Sequence, residues 1–515
     1  MKQETAKMAP FEGLGPWLEM AERLGEIKRI TAEVDPYLEM ATITSLASRE
    51  IGGPALLFEN IKGHPGQRAL FHPIGTSFKR LALAMREFPD KSGLDLVRIL
   101  KEKSKNRILP KVVPAGSATV NRNIERGEQI DITKFPAPHF WPLDGGKYIG
   151  TCGSVITRDP ESGRINLGTY RQMVKSKNEV GYYISPGKDG RIDRDAWWAM
   201  GKPAPVAAVY GIEPLQFMIS STTFPKTHSE YEYWGGLNGA PIEVFESDVT
   251  GLLLPANAEI IIEGYSYPGE SFHEGPFGEF TGYYGHPGGP CPYIKVEAVR
   301  YKNNPILTCH LNCDWPANSE YMMAMLRSAA LWNNLDSLGV VGVRGVWSPP
   351  EATPLGMSVV SIEQKYPGHA AQVMALAAQC TGAAYFSKYI VVVDHDVDPS
   401  KLDEVVWAMA TRSRPAQSID ILRETWNTPL DPSLNPPEIR PWGSKCLINA
   451  CMEYRYIKEF AKRLLHNKPM YDQVARRWQE FGFETPVPKV DIFEQADKLG
   501  GPATRPTAGA AIDRM

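Results

Sequence analysis

The middle of the sequence alternates short strand-like runs with turn-forming residues, and this pattern constrains the fold more than any other feature. Two runs, 148–157 and 164–174, flank the hexapeptide 158–163, whose Asp, Pro, Ser and Gly are typical of a hairpin turn. Further strands are predicted at 258–265, 293–300 and 306–311. A series of short strands separated by turns predicts an antiparallel barrel, which we place within residues 115–312.

The segments on both sides of this region alternate helices with strands. Before it, apolar residues at helical spacing predict a helix at 14–24, and the elements expected next are a strand at 27–34, a helix at 37–50 and a strand at 54–58. After it, we predict helices at 319–338, 369–380 and 398–411 and strands at 340–347 and 389–393. The last strand is continuously apolar, as buried parallel strands are.

The fold class is therefore predicted to be mixed α/β, with more than one domain in 515 residues. We place an N-terminal α/β domain at 1–114, the barrel at 115–312 and a C-terminal α/β domain at 313–448. A Pro-rich linker at 428–441 precedes an amphipathic stretch at 449–481. This stretch predicts one long helix within a C-terminal extension, 449–515, that packs on a partner subunit.

Composition excludes several kinds of partner. The net charge is −3 and no segment is strongly basic, so nucleic acid is not expected to bind. The N-terminus has no apolar signal core, and no apolar run approaches the roughly 20 residues of a membrane span. Seven scattered cysteines indicate a reducing compartment, and we expect a cytoplasmic protein without a membrane partner.

Two further clusters offer metal-binding side chains but have plainer interpretations. Cys309 and Cys313 lack the second pair of ligands that a structural zinc site requires, so they are interpreted as cysteines in or beside a strand. The run 394–396, Asp-His-Asp, follows the apolar strand, where acidic residues more often end a strand and cap the next helix.

Two segments bring together residues that can bind an acid and transfer a proton. In the first, 166–172, alternation along a strand would place Thr169 and Arg171 on one face and Tyr170 on the other. In the second, Glu274 and Glu279 are separated by Gly-Pro-Phe-Gly, so a rigid loop would present both carboxylates. Composition alone favours the other interpretation, two solvated acids in a surface turn.

The motifs in these segments resemble those of the UbiD family of reversible decarboxylases, which depend on prenylated FMN. The resemblance extends over about residues 10–460 and its motifs keep their order and spacing. The matching runs are Asn166 to Arg171, Glu230-Tyr231, Pro255 to Gly264, Glu274 to Glu279, Ser387-Lys388, Thr411-Arg412 and Gly443 to Lys445.

This resemblance implies a fold, a reaction and a set of partners. It implies a central split β-barrel that binds the flavin, flanked by N-terminal and C-terminal α/β parts. The implied activity is the non-oxidative, reversible decarboxylation of an aromatic, heteroaromatic or α,β-unsaturated carboxylic acid, with CO2 as the other product. A flavin prenyltransferase would supply the cofactor, and the chain would form a homodimer or homohexamer.

The resemblance also implies a role for each catalytic residue. Arg171 would bind the substrate carboxylate, Glu274 would hold that arginine, and Glu279 would be the proton donor. The chemistry is consistent with these roles, because arginine offers a planar fork to a carboxylate. Glu279 can donate a proton near neutral pH only if burial or a like charge raises its pKa.

For the cofactor, the resemblance implies a divalent metal bound by Asn166 and Glu230 and K+ or Na+ near Ser220 and Ser221. The other implied cofactor contacts are Gly168, Thr169, Tyr170, Arg171, Lys188, Asp189 and Lys388. The family commonly has a histidine as the third metal ligand, but the segment 185–192 contains none and has Asp189 at the matching spacing.

Asp189 as a third ligand would favour Mn2+ or Mg2+, which prefer oxygen ligands. The alternative is that Asp189 pairs with Lys188 or Arg191 in an exposed turn. Two other functions also stay open at this point: a flavin oxidoreductase on a split barrel, and a non-catalytic subunit of a multi-component aryl carboxylase.

Overall fold

The computed structural model describes residues 8–91, 93–316, 320–353, 355–434, 442–490 and 492–493. Met1–Cys451 form one compact unit and Met452–Met515 a second. Within the described residues, none of the helices combines the length and apolar character needed to cross a bilayer.

The N-terminal part is a small α/β layer. Its elements are α1 (Leu14–Arg23), β1 (Ile27–Ile30), α2 (Glu39–Ala47), β2 (Ala55–Phe58), β3 (Arg68–Phe71), α3 (Phe78–Ala84), α4 (Gly93–Lys103) and β4 (Lys111–Val112). The four elements predicted between 14 and 58 are confirmed in type and position. Helix α1 buries Leu14, Trp17, Leu18 and Ala21, which is the apolar face that the spacing predicted.

The central part is dominated by one large antiparallel sheet. Its strands are β5 (Asn123–Arg126), β6 (Tyr148–Gly150), β7 (Ser154–Arg158), β8 (Ile165–Gly168), β9 (Gln172–Ser176), β10 (Glu179–Gly181), β11 (Ala204–Tyr210), β14 (Ile260–Ser266) and β17 (Tyr293–Tyr301). They follow the order β6-β9-β10-β17-β14-β11-β7-β8, with β5 added on β17. The sheet curls into a half-barrel, which confirms the split-barrel expectation.

Other elements surround this half-barrel. They are α5 (Asp189–Ala199), α6 (Pro214–Ser220), α7 (Glu230–Asn238), β12 (Glu243–Glu246), β13 (Leu253–Pro255), β15 (Phe272–Glu274), β16 (Gly289–Cys291) and β18 (Ile306–Cys309). Strand β18 departs from the prediction that it belongs to the barrel. It pairs in parallel with β3 of the N-terminal sheet, and all four of its residues are buried, as is usual for a parallel strand covered on both faces.

Each arm of the predicted hairpin is broken into two strands. Strands β7 and β8 pair around the 158–163 turn, with Thr157 opposite Asn166, while β6 pairs with β9. The break in the second arm falls at residues 169–171.

The C-terminal part of the first unit is a five-stranded sheet with helices. Its elements are α8 (Glu320–Ser337), β19 (Val343–Trp347), β20 (Met357–Ile362), α9 (His369–Gln379), α10 (Thr381–Ala384), β21 (Tyr389–Asp394), α11 (Leu402–Arg412), α12 (Pro415–Ser418), β22 (Ile419–Trp426) and β23 (Trp442–Ala450). The order is β19-β20-β21-β23-β22. Strand β21 is parallel to β20 and β23, which confirms the buried parallel strand.

The prediction of one long helix at 449–481 is wrong. Residues 449 and 450 end β23, and the helix that follows is α13 (Lys468–Arg476), with short 3-10 turns before and after it. Pro469 explains why a helix begins here, because proline is tolerated in the first turn of a helix and breaks its interior. Asn467 caps this start by accepting a hydrogen bond from the backbone N–H of Met470.

Candidate active site

A cavity of about 500 Å³ opens between the half-barrel, helices α5 to α8 and the C-terminal part of the first unit. The predicted site residues that line it are Asn166, Gly168, Thr169, Tyr170, Arg171, Lys188, Asp189, Ser220, Ser221, Glu230 and Glu279. Glu274 is buried behind Arg171. Lys388 lies elsewhere, because its Nζ donates to Asp431 and Ser433 at 2.8 and 2.9 Å, so the structure does not bring it to the cavity.

Arg171 reaches the cavity from the break between β8 and β9, not from a regular strand. The predicted alternation is therefore wrong, because Thr169, Tyr170 and Arg171 all line the same cavity. The Thr169 backbone N–H donates to the Ser220 carbonyl at 2.9 Å, which takes this residue out of the sheet ladder. Gly168 permits the break, since a Cβ there would overlap the Tyr170 hydroxyl.

Arg171 is held by two glutamates, Glu274 at the end of β15 and Glu279 in the loop that follows this strand. Its Nε and Nη2 each donate to Glu274 at 2.9 Å, a bidentate pair, and its Nη1 donates to Glu279. The Tyr148 hydroxyl donates at 2.9 Å to Glu274 Oε1, the oxygen that also accepts from Arg171 Nε. The guanidinium lies over the Tyr183 ring, 4.5 Å from its centre. These contacts fix the plane of the guanidinium at the cavity wall.

The loop between Glu274 and Glu279 is shaped by close backbone contacts. Gly275 has a φ of 89°, and a Cβ there would lie 2.8 Å from the Cα of Gly288. Asp144 accepts a hydrogen bond from the Gly278 backbone N–H at 3.0 Å. The loop is therefore not a solvated turn, and it delivers both carboxylates to Arg171.

Burial changes the acidity of this cluster. Glu279 is 6% exposed, and burial raises its pKa from 4.5 to about 7, with the charges of Glu274 and Asp144 acting in the same direction and Arg171 opposing them. Burial alone would lower the pKa of Arg171, but the charges of Glu279 and Glu274 reverse this and raise it. The arginine is therefore charged, while Glu279 exchanges its proton near neutral pH.

The far end of the cavity carries the three predicted metal ligands. Glu230 begins α7, accepts a hydrogen bond from the Leu167 backbone N–H at 3.0 Å, and has its pKa raised to about 7 by burial. Asp189 begins α5, and Asn166 lies near the end of β8. Arg164 bridges the two acids, with Nη2 3.1 Å from Asp189 and Nη1 3.6 Å from Glu230.

These residues fit a hard cation. No group of three His, Cys, Asp or Glu forms a metal cluster in the described part of the chain, so any site here would need the Asn166 oxygen. A buried carboxylate such as Glu230 is stabilised by a bound cation, and all three side chains offer oxygen ligands. Asp189 pairs with Arg164 and Lys226, and not with the cations of the alternative interpretation.

Hydroxyl groups line the wall beside the metal ligands. Ser220 Oγ lies 2.6 Å from Ser154 Oγ, and Ser221 Oγ donates to Thr169 Oγ1 at 3.3 Å. The Gly190 backbone N–H donates to the Tyr170 hydroxyl at 3.1 Å. This polar wall offers donors and acceptors suited to a phosphate and its counter-ions.

Two cationic residues of this region had no assigned role in the sequence. Lys445 is buried and donates to the carbonyls of Ala383, Ala384 and Ser387 at 2.8–3.0 Å, so it supports the segment before β21. Arg327 lines the cavity from α8. The signal for Arg327 was available, because it is the single basic residue in an otherwise largely apolar helix.

The two other candidate metal clusters have structural roles. Cys309 and Cys313 are both buried, and Cys309 is the last residue of β18. Arg412 pairs with Asp394 at 3.1 Å and with Asp396 at 2.7 Å, so these acids hold α11 against the end of β21.

Three domain models of 3-octaprenyl-4-hydroxybenzoate carboxy-lyase match this chain. The N-terminal model matches residues 18–100, the Rift-related model 111–314 and the C-terminal model 320–450. Together with the half-barrel and its cavity, they define an enzyme of the carboxy-lyase class. The chain belongs to the UbiD family.

Solved structures of this class are similar over nearly the whole chain. The UbiD-class enzyme HmfF from Pelotomaculum thermopropionicum, in complex with FMN, is 29% identical, with 90% of this chain and 98% of that chain covered and a TM-score of 0.79. Vanillic acid decarboxylase from Sedimentibacter hydroxybenzoicus, in closed form, is 29% identical, with coverages of 92% and 98% and a TM-score of 0.80. The 3,4-dihydroxybenzoic acid decarboxylase of Klebsiella pneumoniae is 25% identical, with coverages of 92% and 100% and a TM-score of 0.78.

Proposed function

We propose that this enzyme uses prenylated FMN to decarboxylate, reversibly and without net oxidation, an aromatic, heteroaromatic or α,β-unsaturated carboxylic acid. One observation carries the proposal: an arginine fixed by a bidentate glutamate meets a second, buried glutamate whose pKa is near 7. The similar structures support it, because two of them are named as decarboxylases of aromatic acids and an evolved form of HmfF was solved with prenylated FMN.

Each residue of the cluster has its own role in the proposed reaction. Arg171 binds the substrate carboxylate beside Glu279, and Glu274 keeps the guanidinium in place. Prenylated FMN, when bound, supplies the electron sink that side chains cannot offer. Glu279 holds the proton that replaces CO2 on the substrate carbon, and its raised pKa keeps that proton available near neutral pH. In the carboxylation direction, the same carboxylate accepts the proton.

The polar end of the cavity would hold the cofactor phosphate. Asn166, Asp189 and Glu230 would bind Mn2+ or Mg2+, and the Ser220 and Ser221 region would bind K+ or Na+. The remaining contacts would come from Gly168, Thr169, Tyr170 and Lys188, which line the same cavity. A flavin prenyltransferase is the required supplier of the cofactor.

The third metal ligand is tested by replacing Asp189 with alanine. We expect the bound Mn2+ of the purified FMN-loaded protein to fall by more than about tenfold, measured by metal analysis, because one of three protein ligands is removed. Asp195→Ala is the control, since this acid lies on the same helix, is half exposed and pairs with Arg194. Full retention of metal by the Asp189 variant would remove it from the ligand set.

The reaction is tested on protein produced with and without a flavin prenyltransferase. We expect CO2 release from an aryl or acrylic acid, without NAD(P)H, only from the co-produced protein, and a loss of at least about 100-fold in Glu279→Gln. Arg98→Gln, on the surface of α4, is the control. Turnover with plain FMN and NAD(P)H would instead establish a flavin oxidoreductase. Turnover only after other subunits are added would establish a component of a larger carboxylase.

We also propose that the chain forms a homo-oligomer, a dimer or hexamer, through the edge of its C-terminal sheet. Strand β22 is the last strand of that sheet, and it exposes Ile419, Ile421 and Trp426. An exposed apolar edge strand is a typical site of association between subunits.

A further inference from the structure

Arg327 lines the cavity, and among the residues that the structure describes its guanidinium forms no salt bridge. Its Nη2 donates to the Tyr385 carbonyl at 3.1 Å. Its Nε is buried with no hydrogen-bond partner, and over the described chain Nη1 has none either. An arginine cannot shed its charge at physiological pH, so burial without a counter-charge is unfavourable.

The buried arginines of the described chain each form a salt bridge with an aspartate or glutamate, and they are Arg80, Arg86, Arg194 and Arg300. Half-buried Arg68 and Arg158 form none, and each donates to one backbone carbonyl, as half-buried Arg327 does. Of these three half-buried arginines, Arg327 is the one that lines the cavity.

The surroundings of Arg327 increase its need for an anion. Burial lowers its pKa to about 10 and that of Lys445 to about 8, and the charge of Arg327 contributes to the second change. The three carbonyls around Lys445 satisfy that ammonium, and two glutamates neutralise the charge of Arg171. Arg327 is thus a cavity cation that keeps unused donors, and it lies near a second cation of the cavity wall, Lys188, whose pKa is lowered by burial and by the charge of Arg327.

Arg327 lies within electrostatic reach of the reacting end of the cavity. Tyr385 shows this: burial raises the pKa of its phenol, the charge of Glu279 raises it further, and that of Arg327 lowers it. Met322 and Met323, on the same helix as Arg327, add an apolar wall. Arg171 and Arg327 line one cavity, so an aromatic acid bound at Arg171 shares that cavity with the Arg327 guanidinium.

We propose that Arg327 binds a second anionic group of the substrate, so that the enzyme acts on an aromatic acid with two acidic groups. A carboxylate matches its planar set of donors best. This inference rests on the proposed function, because it takes Arg171 and Glu279 as the reacting end. The cofactor phosphate is the other source of the same chemistry, and the experiment separates the two.

The test measures binding, not turnover, on FMN-loaded protein. Benzoate and the benzene-1,2-, 1,3- and 1,4-dicarboxylates are titrated by calorimetry into the wild type and into Arg327→Gln, Arg327→Lys and Arg344→Gln. The last is the control, because Arg344 is exposed and pairs with Glu363. FMN and riboflavin are titrated separately into the flavin-free proteins.

We expect at least one dicarboxylate to bind the wild type roughly 10- to 100-fold more tightly than benzoate, as a charge-assisted contact provides. Arg327→Gln should lose that preference and keep its benzoate and FMN affinities within about threefold, and Arg327→Lys should lose only part of it. If Arg327→Gln does not fold, the partial loss in Arg327→Lys is decisive by itself.

Three results would overturn the inference. One is a wild type with no preference for any dicarboxylate, and another is an unchanged preference in the Arg327 variants. The third is a weaker affinity of the Arg327 variants for FMN but not for riboflavin, which would assign Arg327 to the cofactor phosphate. A failure of the proposed reaction would appear separately, as absent CO2 release with ligand binding intact.

Discussion

Glu279 is expected to hold a proton until the pH approaches neutrality, and replacing it with glutamine tests this directly. Burial raises its pKa from 4.5 to about 7. One pKa unit corresponds to about 1.36 kcal/mol, so this rise corresponds to about 3 kcal/mol. The charged and titratable groups that face Glu279 are Arg171, Glu274, Asp144, Tyr183 and Tyr385.

The sign of the effect follows from proton binding. Between pH 4.5 and about 7, the folded protein keeps the Glu279 proton while the unfolded chain has released it. The free energy of unfolding therefore contains a contribution that is fully present below 4.5 and is lost as the pH rises through about 7. Glutamine at this position does not titrate, so this contribution to the free energy of unfolding does not change with pH in Glu279→Gln.

The assay compares urea unfolding of the wild type, Glu279→Gln and Asp95→Asn at about pH 5 and about pH 8. We expect the wild type to lose about 2.5 kcal/mol relative to Glu279→Gln over this interval, because the first part of the loss occurs below pH 5. The exposed Asp95 control should track the wild type within about 0.5 kcal/mol. Infrared difference spectra should show a protonated carboxyl band in the wild type that disappears on the same titration. A stability difference that does not change with pH would refute the reasoning.

Three further changes test other parts of the structure. Glu274→Gln removes a buried charge partner of Arg171, so the melting temperature should fall, as expected for a loss of about 3–5 kcal/mol, and CO2 release should drop at least about 100-fold; wild-type values for both would contradict the role of Glu274. Lys445→Met leaves buried carbonyls without a donor and should lower the free energy of unfolding by about 1–3 kcal/mol, whereas Lys388→Met, at a half-buried site, should cost less. Ile421→Glu should shift the mass distribution in solution toward monomer, while Ile51→Glu, at another exposed isoleucine, should not.

The sequence predicted elements best where a local pattern decides the structure. The apolar spacing of Leu14, Trp17, Leu18 and Ala21 reflects one buried face of a helix, and the continuous apolar run at 389–393 reflects a strand covered on both sides. The prediction of one helix at 449–481 is wrong, because Pro469 would break the interior of such a helix and is instead accommodated in the first turn of α13.

Strand pairing and strand breaks depended on contacts between distant segments. Nothing within residues 306–311 indicates that β18 pairs with β3, more than 230 residues earlier, because pairing partners are chosen by packing and not by local preference. In the same way, the break at 169–171 is held by the Ser220 carbonyl and the Gly190 backbone N–H, which lie on other elements.

The sequence by itself determined which residues are available for the chemistry: its motifs predicted that Arg171, Glu274 and Glu279 act together, and the resemblance to a family implied a role for each. The tertiary structure decided what those residues experience. Burial, which no local pattern measures, raises the pKa of Glu279, and packing of α8 against the cavity adds Arg327 to the same space. The sequence fixes which side chains are available. Their pKa values and their neighbours depend on segments that come together only after folding.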